Sequence, residues 1–165
     1  WGGAFVIMTG ERISPRIPVG THTITLTVDD GHGNTDTDTV DITVIADTTA
    51  PTLSVSLSPY ELWPPNHKMV NITASIQTSD SCDARPTVRL VSIVSNEPDN
   101  GGGDGNTSGD IQGASFGADD REFSLRAERS GHGFGRIYTI TYEASDAAGN
   151  VAVETSEVYV PHDRN

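Results

Sequence analysis

Cysteine, lysine and long apolar runs are what this chain of 165 residues has least of. Cys82 is the single cysteine, so no internal disulfide can form. Its side chain is a small buried hydrophobe, a free thiol or a point of intermolecular linkage, and the first is expected. Lys68 is the single lysine, and ten basic residues face 23 acidic ones, for a net charge of −13. With no basic stripe to track a phosphate backbone, nucleic acid is excluded as an expected partner. No apolar run approaches the ~20 residues that span a bilayer, so no membrane insertion is expected. Trp1 begins neither a signal peptide nor an initiator-methionine start, as in a mature product or an excised piece. Catalytic signatures are also missing. The sequence has no G-x-S-x-G elbow, phosphate loop or dinucleotide fingerprint. Among His22, His32, His67, His132 and His162, no two have zinc-ligand spacing. Asp120, Glu122 and Glu128 flank a strand and are expected on its solvated face, so no enzyme is expected.

What remains is rich in threonine, serine, valine, aspartate and glycine and has no helical period, which makes the class all-β. From Arg136 to Val160, Tyr138, Ile140 and Tyr142 alternate with small or polar residues, and Val151, Val153, Val158 and Val160 follow after an acidic turn at Ser145 to Asn150. Period two over such lengths predicts a half-buried antiparallel hairpin. An early strand tyrosine after a glycine-rich turn suits the corner tyrosine of immunoglobulin-like sandwiches, whose hydroxyl bonds back to the backbone. A shorter echo occurs near the N-terminus: Ile24, Leu26 and Val28 alternate with threonines, a turn follows at Asp29 to Asn34, and Val40, Ile42 and Val44 alternate on the return. The likeness of VGTHTITLTVDDGHGN to RIYTITYEASDAAGN suggests two tandem copies of one architecture.

Between the hairpins, Leu53, Val55 and Leu57 predict a first strand of the second copy, and Val70, Ile72, Ala74 and Ile76 a second. Val88, Leu90, Val91 and Ile93 predict a third, and Phe123, Leu125 and Ala127 a fourth. Trp63 in LWPPNHKMV is expected to pack at the base of the sandwich. The domains expected are residues 1–46, a linker at 47–51 and a sandwich at 52–163: tandem immunoglobulin-like β-sandwiches, the first incomplete.

PVGTHTITLTVDDGHGNTDTDTVDITV resembles the last strands of a PKD-type repeat, a surface-protein module of the immunoglobulin-like class. A sandwich reduced to those strands has unpaired edges and an open core. LWPPNHKMV, CDARPTVRLVSIVSNEPD, GDGNTSGDI and LRAERSGHGFGRIYTITYEASDAAGN resemble a bacterial extracellular immunoglobulin-like domain over most of residues 51–163. That resemblance implies a secreted, cell-surface setting.

Sandwich topology sorts the loops into two poles. The loops at 79–85 and 145–150 share one pole with the linker, so Asp47, Asp80, Asp83, Asp146 and Asn150 are candidate ligands for Ca2+, which takes several hard oxygens at ~2.3–2.6 Å. For Asp47 the alternative is a solvated turn aspartate. The other pole collects Asn66, His67, the RSGHGFG turn and the glycine-rich loop with Asp99, Asp104, Asn106 and Asp110. Oxygens at alternate positions suit a second Ca2+ site, although the glutamate that closes an EF-hand is missing. The alternative there is a disordered surface loop.

These residues point to a calcium-stabilised structural or adhesive module, partnered by neighbouring repeats or copies of itself, or by a surface ligand or glycan. One alternative is a filament subunit completed by strand exchange between neighbours. Another is a carbohydrate-binding accessory domain of a secreted hydrolase, for which Tyr60 and Trp63 are the close aromatic pair.

Overall fold

The computed structural model describes residue 9 and residues 16–163. All of its regular elements are strands, and all ladders between them are antiparallel. The chain divides into two compact units, Trp1–Asp47 and Thr48–Asn165.

In the first unit β1 (Gly20–Asp29) pairs with β2 (Thr35–Val44) along its whole length. The register places Ile24 opposite Val40 and His22 opposite Ile42. One face therefore carries Ile24, Leu26, Val28, Val40, Ile42 and Val44 together with His22, Asp36 and Asp38, and the other only threonines and the aspartates Asp29 and Asp41. The apolar face is largely exposed, Leu26 at 63% and Val40 at 56%.

The second unit is a two-sheet sandwich. One sheet has the order β3 (Thr52–Ser58), β4 (Met69–Ser79), β7 (Glu122–Arg126), β6 (Ile111–Gln112). The other has the order β5 (Thr87–Ser95), β8 (Gly135–Ser145), β9 (Val151–Pro161). Strand alternation delivers Leu57, Ile72, Ala74, Phe123 and Leu125 from the first sheet, and Leu90, Ile93, Tyr138, Ile140, Tyr142, Val158 and Val160 from the second, into one core. Each large aliphatic or aromatic side chain removed from water there contributes about 1.5–3 kcal/mol.

Tyr138 fills the corner position predicted for it. Its hydroxyl donates to the Arg126 carbonyl at 3.0 Å, and that of Tyr142 donates to the Asp120 carbonyl at 2.7 Å. Burial pushes both phenols up to about 12, since ionisation inside the sandwich would strand a charge.

Two placements here, those of Trp63 and Cys82, differ from the sequence reading. Trp63 lies 40% exposed, and its neighbour Leu62, 2% exposed, enters the core instead. Leu62 is held there because its amide donates to the Tyr159 carbonyl at 2.7 Å. Cys82 is exposed, because Asp80 draws the amides of Cys82 and Asp83 around itself into a surface turn. Val91 is the extra residue of a bulge between Leu90 and Ser92, which turns it 42% exposed. The edge of β5 at that bulge is covered by the returning chain, where Gly117 donates to the Leu90 carbonyl and Leu90 to the Ala118 carbonyl, both at 2.8 Å.

Candidate functional site

The loops after β4 and β8 meet at one pole of the sandwich. Asp83 Oδ2 accepts the Ala147 amide at 2.9 Å, joining them directly. Within the second loop, Asp146 Oδ1 accepts the Asn150 amide at 2.8 Å and Asp146 Oδ2 accepts the Asn150 side-chain amide at 2.8 Å. Although desolvation pulls the other way, these bonds hold the Asp146 carboxyl below the ordinary aspartate range. The β1–β2 turn is built identically: Asp30 accepts from the Asn34 amide at 3.1 Å and from its side chain at 2.6 Å. The echo between the two hairpins is thus a shared turn clamp, an aspartate closing on an asparagine four residues later. Asp80, half-buried, caps its own loop, and Asp47 is the half-buried last residue of the first unit.

The opposite pole holds a buried charged cluster. Arg136 lies on the inward phase of β8, in line with Tyr138 and Ile140, and is 1% exposed. A guanidinium cannot be desolvated unpaired, and this one is surrounded by acceptors. Its Nε donates to Glu97 at 3.3 Å, one terminal nitrogen donates to Asp110 and to the Tyr138 hydroxyl, and the other donates to the Pro98 carbonyl at 3.1 Å and to Asp104 at 3.5 Å. Burial alone would depress the Arg136 pKa; its bonds with Tyr138 and Asp110 more than reverse that, so the group stays charged. For Asp110 burial wins and raises the carboxyl, while Arg136 opposes the rise.

A second arginine sews the loop to the sheet. Arg126 donates through Nε to Asp110 at 3.1 Å, and through its terminal nitrogens to the carbonyls of His67 at 3.0 Å and Ser108 at 2.9 Å. Asp99 closes the neck of the loop by accepting the amides of Gly109 at 3.0 Å and Asp110 at 2.8 Å, which lowers its pKa. Asp104 accepts the amides of Gly101 and Asn106. Asn106 is exposed and takes a left-handed φ of 61°. Asp104 and Asp110 therefore converge on a cation, and that cation is the Arg136 guanidinium.

Glu128 is the main departure from expectation. Placed by sequence on a solvated face, it is fully buried. Its Oε2 accepts from Thr107 Oγ1 and lies 3.1 Å from His67 Nδ1, while Oε1 has no hydrogen-bond partner and sits 3.9 Å from Arg136. Gly105 abuts the His67 ring, which a Cβ there would meet at 2.4 Å. Sequence reading named Asp99, Asp104, Asn106 and Asp110, put Glu128 on the wrong face, and missed Arg136, Arg126 and Glu97. The signal for Arg136 was its phase among Tyr138, Ile140 and Tyr142.

Residues 14–95 match the family model of the bacterial Ig-like domain (group 3). The match takes in the β1–β2 hairpin and strands β3 to β5, just under half of the chain. It agrees with the Ig-like sandwich of the second unit and takes in the first hairpin, for which the expected PKD-type repeat is not shown. No curated protein and no solved structure matches the chain. Among the described residues, no helix is long and apolar enough to cross a membrane.

Proposed function

We propose that this chain is a non-catalytic structural or adhesive module of a bacterial surface or matrix protein. One observation carries the reading: Arg136, Asp104, Asp110 and Asp146, four of the five buried charged residues among those described, are spent on holding the sandwich's own loops. Arg136 and Arg126 fix the glycine-rich loop, and Asp146 clamps its turn. A site built to turn over substrate would instead direct such groups at a cleft. The Ig-like family match, the acidic surface and the extracellular resemblance of residues 51–163 agree with a load-bearing or displaying role outside the cell.

The ion this reading takes is Ca2+, and its place is the pole where Asp80, Asp83 and Asp146 lie on loops joined by the Asp83–Ala147 bond. There calcium would offset carboxylates gathered in a chain of net charge −13. Thermal melting and sedimentation velocity, each with millimolar calcium and after EDTA, test this. A compact monomer that melts higher in calcium supports it; superimposable curves remove calcium. Endoproteinase Asp-N separates a rigid module from a floppy one, since its sites at Asp99, Asp104 and Asp110 resist cleavage only if the loop is held as described. Rapid cutting there in the native protein refutes the load-bearing reading.

The exposed apolar face of the β1–β2 hairpin supports a second reading, an assembling subunit whose first domain is completed by a neighbouring copy. Concentration-dependent growth of the sedimenting species is its signature. A monomer at every concentration rules it out.

A further inference from the structure

The segment between β3 and β4 builds a surface that the structural reading does not use. Its backbone is fixed at three points. Leu62 is buried, its amide donates to the Tyr159 carbonyl at 2.7 Å, and the Tyr159 amide donates to the Tyr60 carbonyl at 2.8 Å. On this fixed backbone Tyr60 is 67% and Trp63 40% exposed, and both line a cleft of about 370 Å³ with Ser58, Pro59 and Glu61. Tyr159 joins this segment through its backbone. Its neighbours Val158 and Val160 face the core, so it stands on the outer face of β9, bridged to Glu61 and hydrogen-bonded to Glu157. Residues 16–163 contain eight aromatics, and two of them, Tyr60 and Trp63, line this one cleft. A larger groove of about 510 Å³, lined by Thr52–Ser54 and Ile76–Ser79, offers no ring and no charge.

Aromatic rings left in water on a rigid backbone are what the flat C–H face of a sugar stacks on, at little cost in conformational entropy. Beside them Ser58 and the Tyr60 hydroxyl offer the donors and acceptors that sugar hydroxyls require. The cleft residues are acidic or neutral, in a chain of net charge −13, so an anionic glycan is repelled. Its volume falls at the small end of the ~300–1,000 Å³ range of ligand sites, enough for one or two sugar rings. We propose that Tyr60 and Trp63 form a stacking platform for a neutral polysaccharide chain, presented by the module in addition to its structural role.

Affinity electrophoresis and calorimetry on the full chain test this, with soluble cellulose derivative, xylan, β-1,3-glucan and starch as neutral probes. Polygalacturonate serves as an acidic probe and choline as a small cation. At least one neutral polymer should retard the protein, polygalacturonate should not, and Tyr60→Ala and Trp63→Ala should each weaken binding about tenfold. Melting curves identify a variant that fails to fold; Tyr60 is the more exposed, so Tyr60→Ala decides if Trp63→Ala does not fold. Absence of binding across the neutral panel, binding unchanged by Tyr60→Ala, or capture of choline or polygalacturonate in place of the neutral chains each overturns the proposal.

Discussion

Replacing Arg136 by methionine removes the positive centre of a cluster in which Asp104, Asp110 and Glu128 are each at most 2% exposed. Methionine fills much of the volume, so lost packing is small and the effect is electrostatic. Breaking a buried pair by deleting one partner costs about 3–5 kcal/mol, because the other charge stays buried without compensation. Arg126 remains within 3.1 Å of Asp110 and softens the loss, which places Arg136→Met near 3 kcal/mol. For a unit of this size that is roughly a 10–15 °C drop in Tm. The control is Arg89→Met: Arg89 is 53% exposed and pairs with Glu143 at 2.7 Å, a surface bridge worth at most ~0.5–1 kcal/mol. Urea unfolding at pH 7 measures both.

The same variant carries a pH signature. The folded Asp110 carboxyl already titrates above its ordinary value because burial outweighs Arg136. Folding that raises a carboxyl pKa favours its protonated form, so its cost is relieved in acid and grows as pH rises through the folded value. Without the guanidinium the folded value rises further. The gap between Arg136→Met and the parent is therefore widest at neutral pH and narrows toward pH 4. A loss no larger than that of Arg89→Met, or a gap independent of pH, refutes the pairing.

Gly135→Ala should cost about 2–4 kcal/mol in urea unfolding, since φ is +113° and a Cβ would lie 2.6 Å from the Val160 carbonyl oxygen across the ladder. Tyr138→Phe removes the donor to the Arg126 carbonyl and an acceptor for Arg136 while keeping the ring, and should cost about 1–2 kcal/mol in the same assay. Asp99→Ala should speed hydrogen exchange at the amides of Gly109 and Asp110. Because the folded Asp99 pKa is lowered, its contribution is present above the ordinary aspartate range and fades as pH falls through the folded value, so this variant flattens the acid limb of the stability curve.

The strands were legible because period two is a direct consequence of the pleat. Tyr138, Ile140 and Tyr142 must share a face, and they are all buried. Legibility failed where that phase is broken by a local event. The bulge at Val91 ejects a residue that alternation alone cannot place. The two-residue β6 is too short to show any period. At Leu62 and Trp63 two adjacent large apolar residues compete for one buried position, and the backbone bonds that Leu62 and Tyr60 make with Tyr159 decide it. No pattern within LWPPNHK announces those bonds, since their partners lie nearly a hundred residues away.

Charged residues were harder for a related reason: the sequence shows a carboxylate but not what meets it. Asp104 and Asn106 have the alternate spacing of calcium ligands, and Asp104 and Asp110 do turn toward one centre, yet a side chain from β8 occupies it. An arginine in phase with three core residues already demands acids, so the pairing was half-written in the strand. Glu128 was not readable at all. It follows β7, where its amide bonds to the Arg126 carbonyl at 2.9 Å and the alternation ends, so no phase carries it inward. The aspartate–asparagine spacing at Asp146 and Asn150 suited a ligand pair, but the same spacing at Asp30 and Asn34 folds into the same clamp. Recurrence in two turns of one chain is thus the mark of a turn device, and any ion at the Asp80–Asp83–Asp146 pole must bind alongside that clamp rather than replace it.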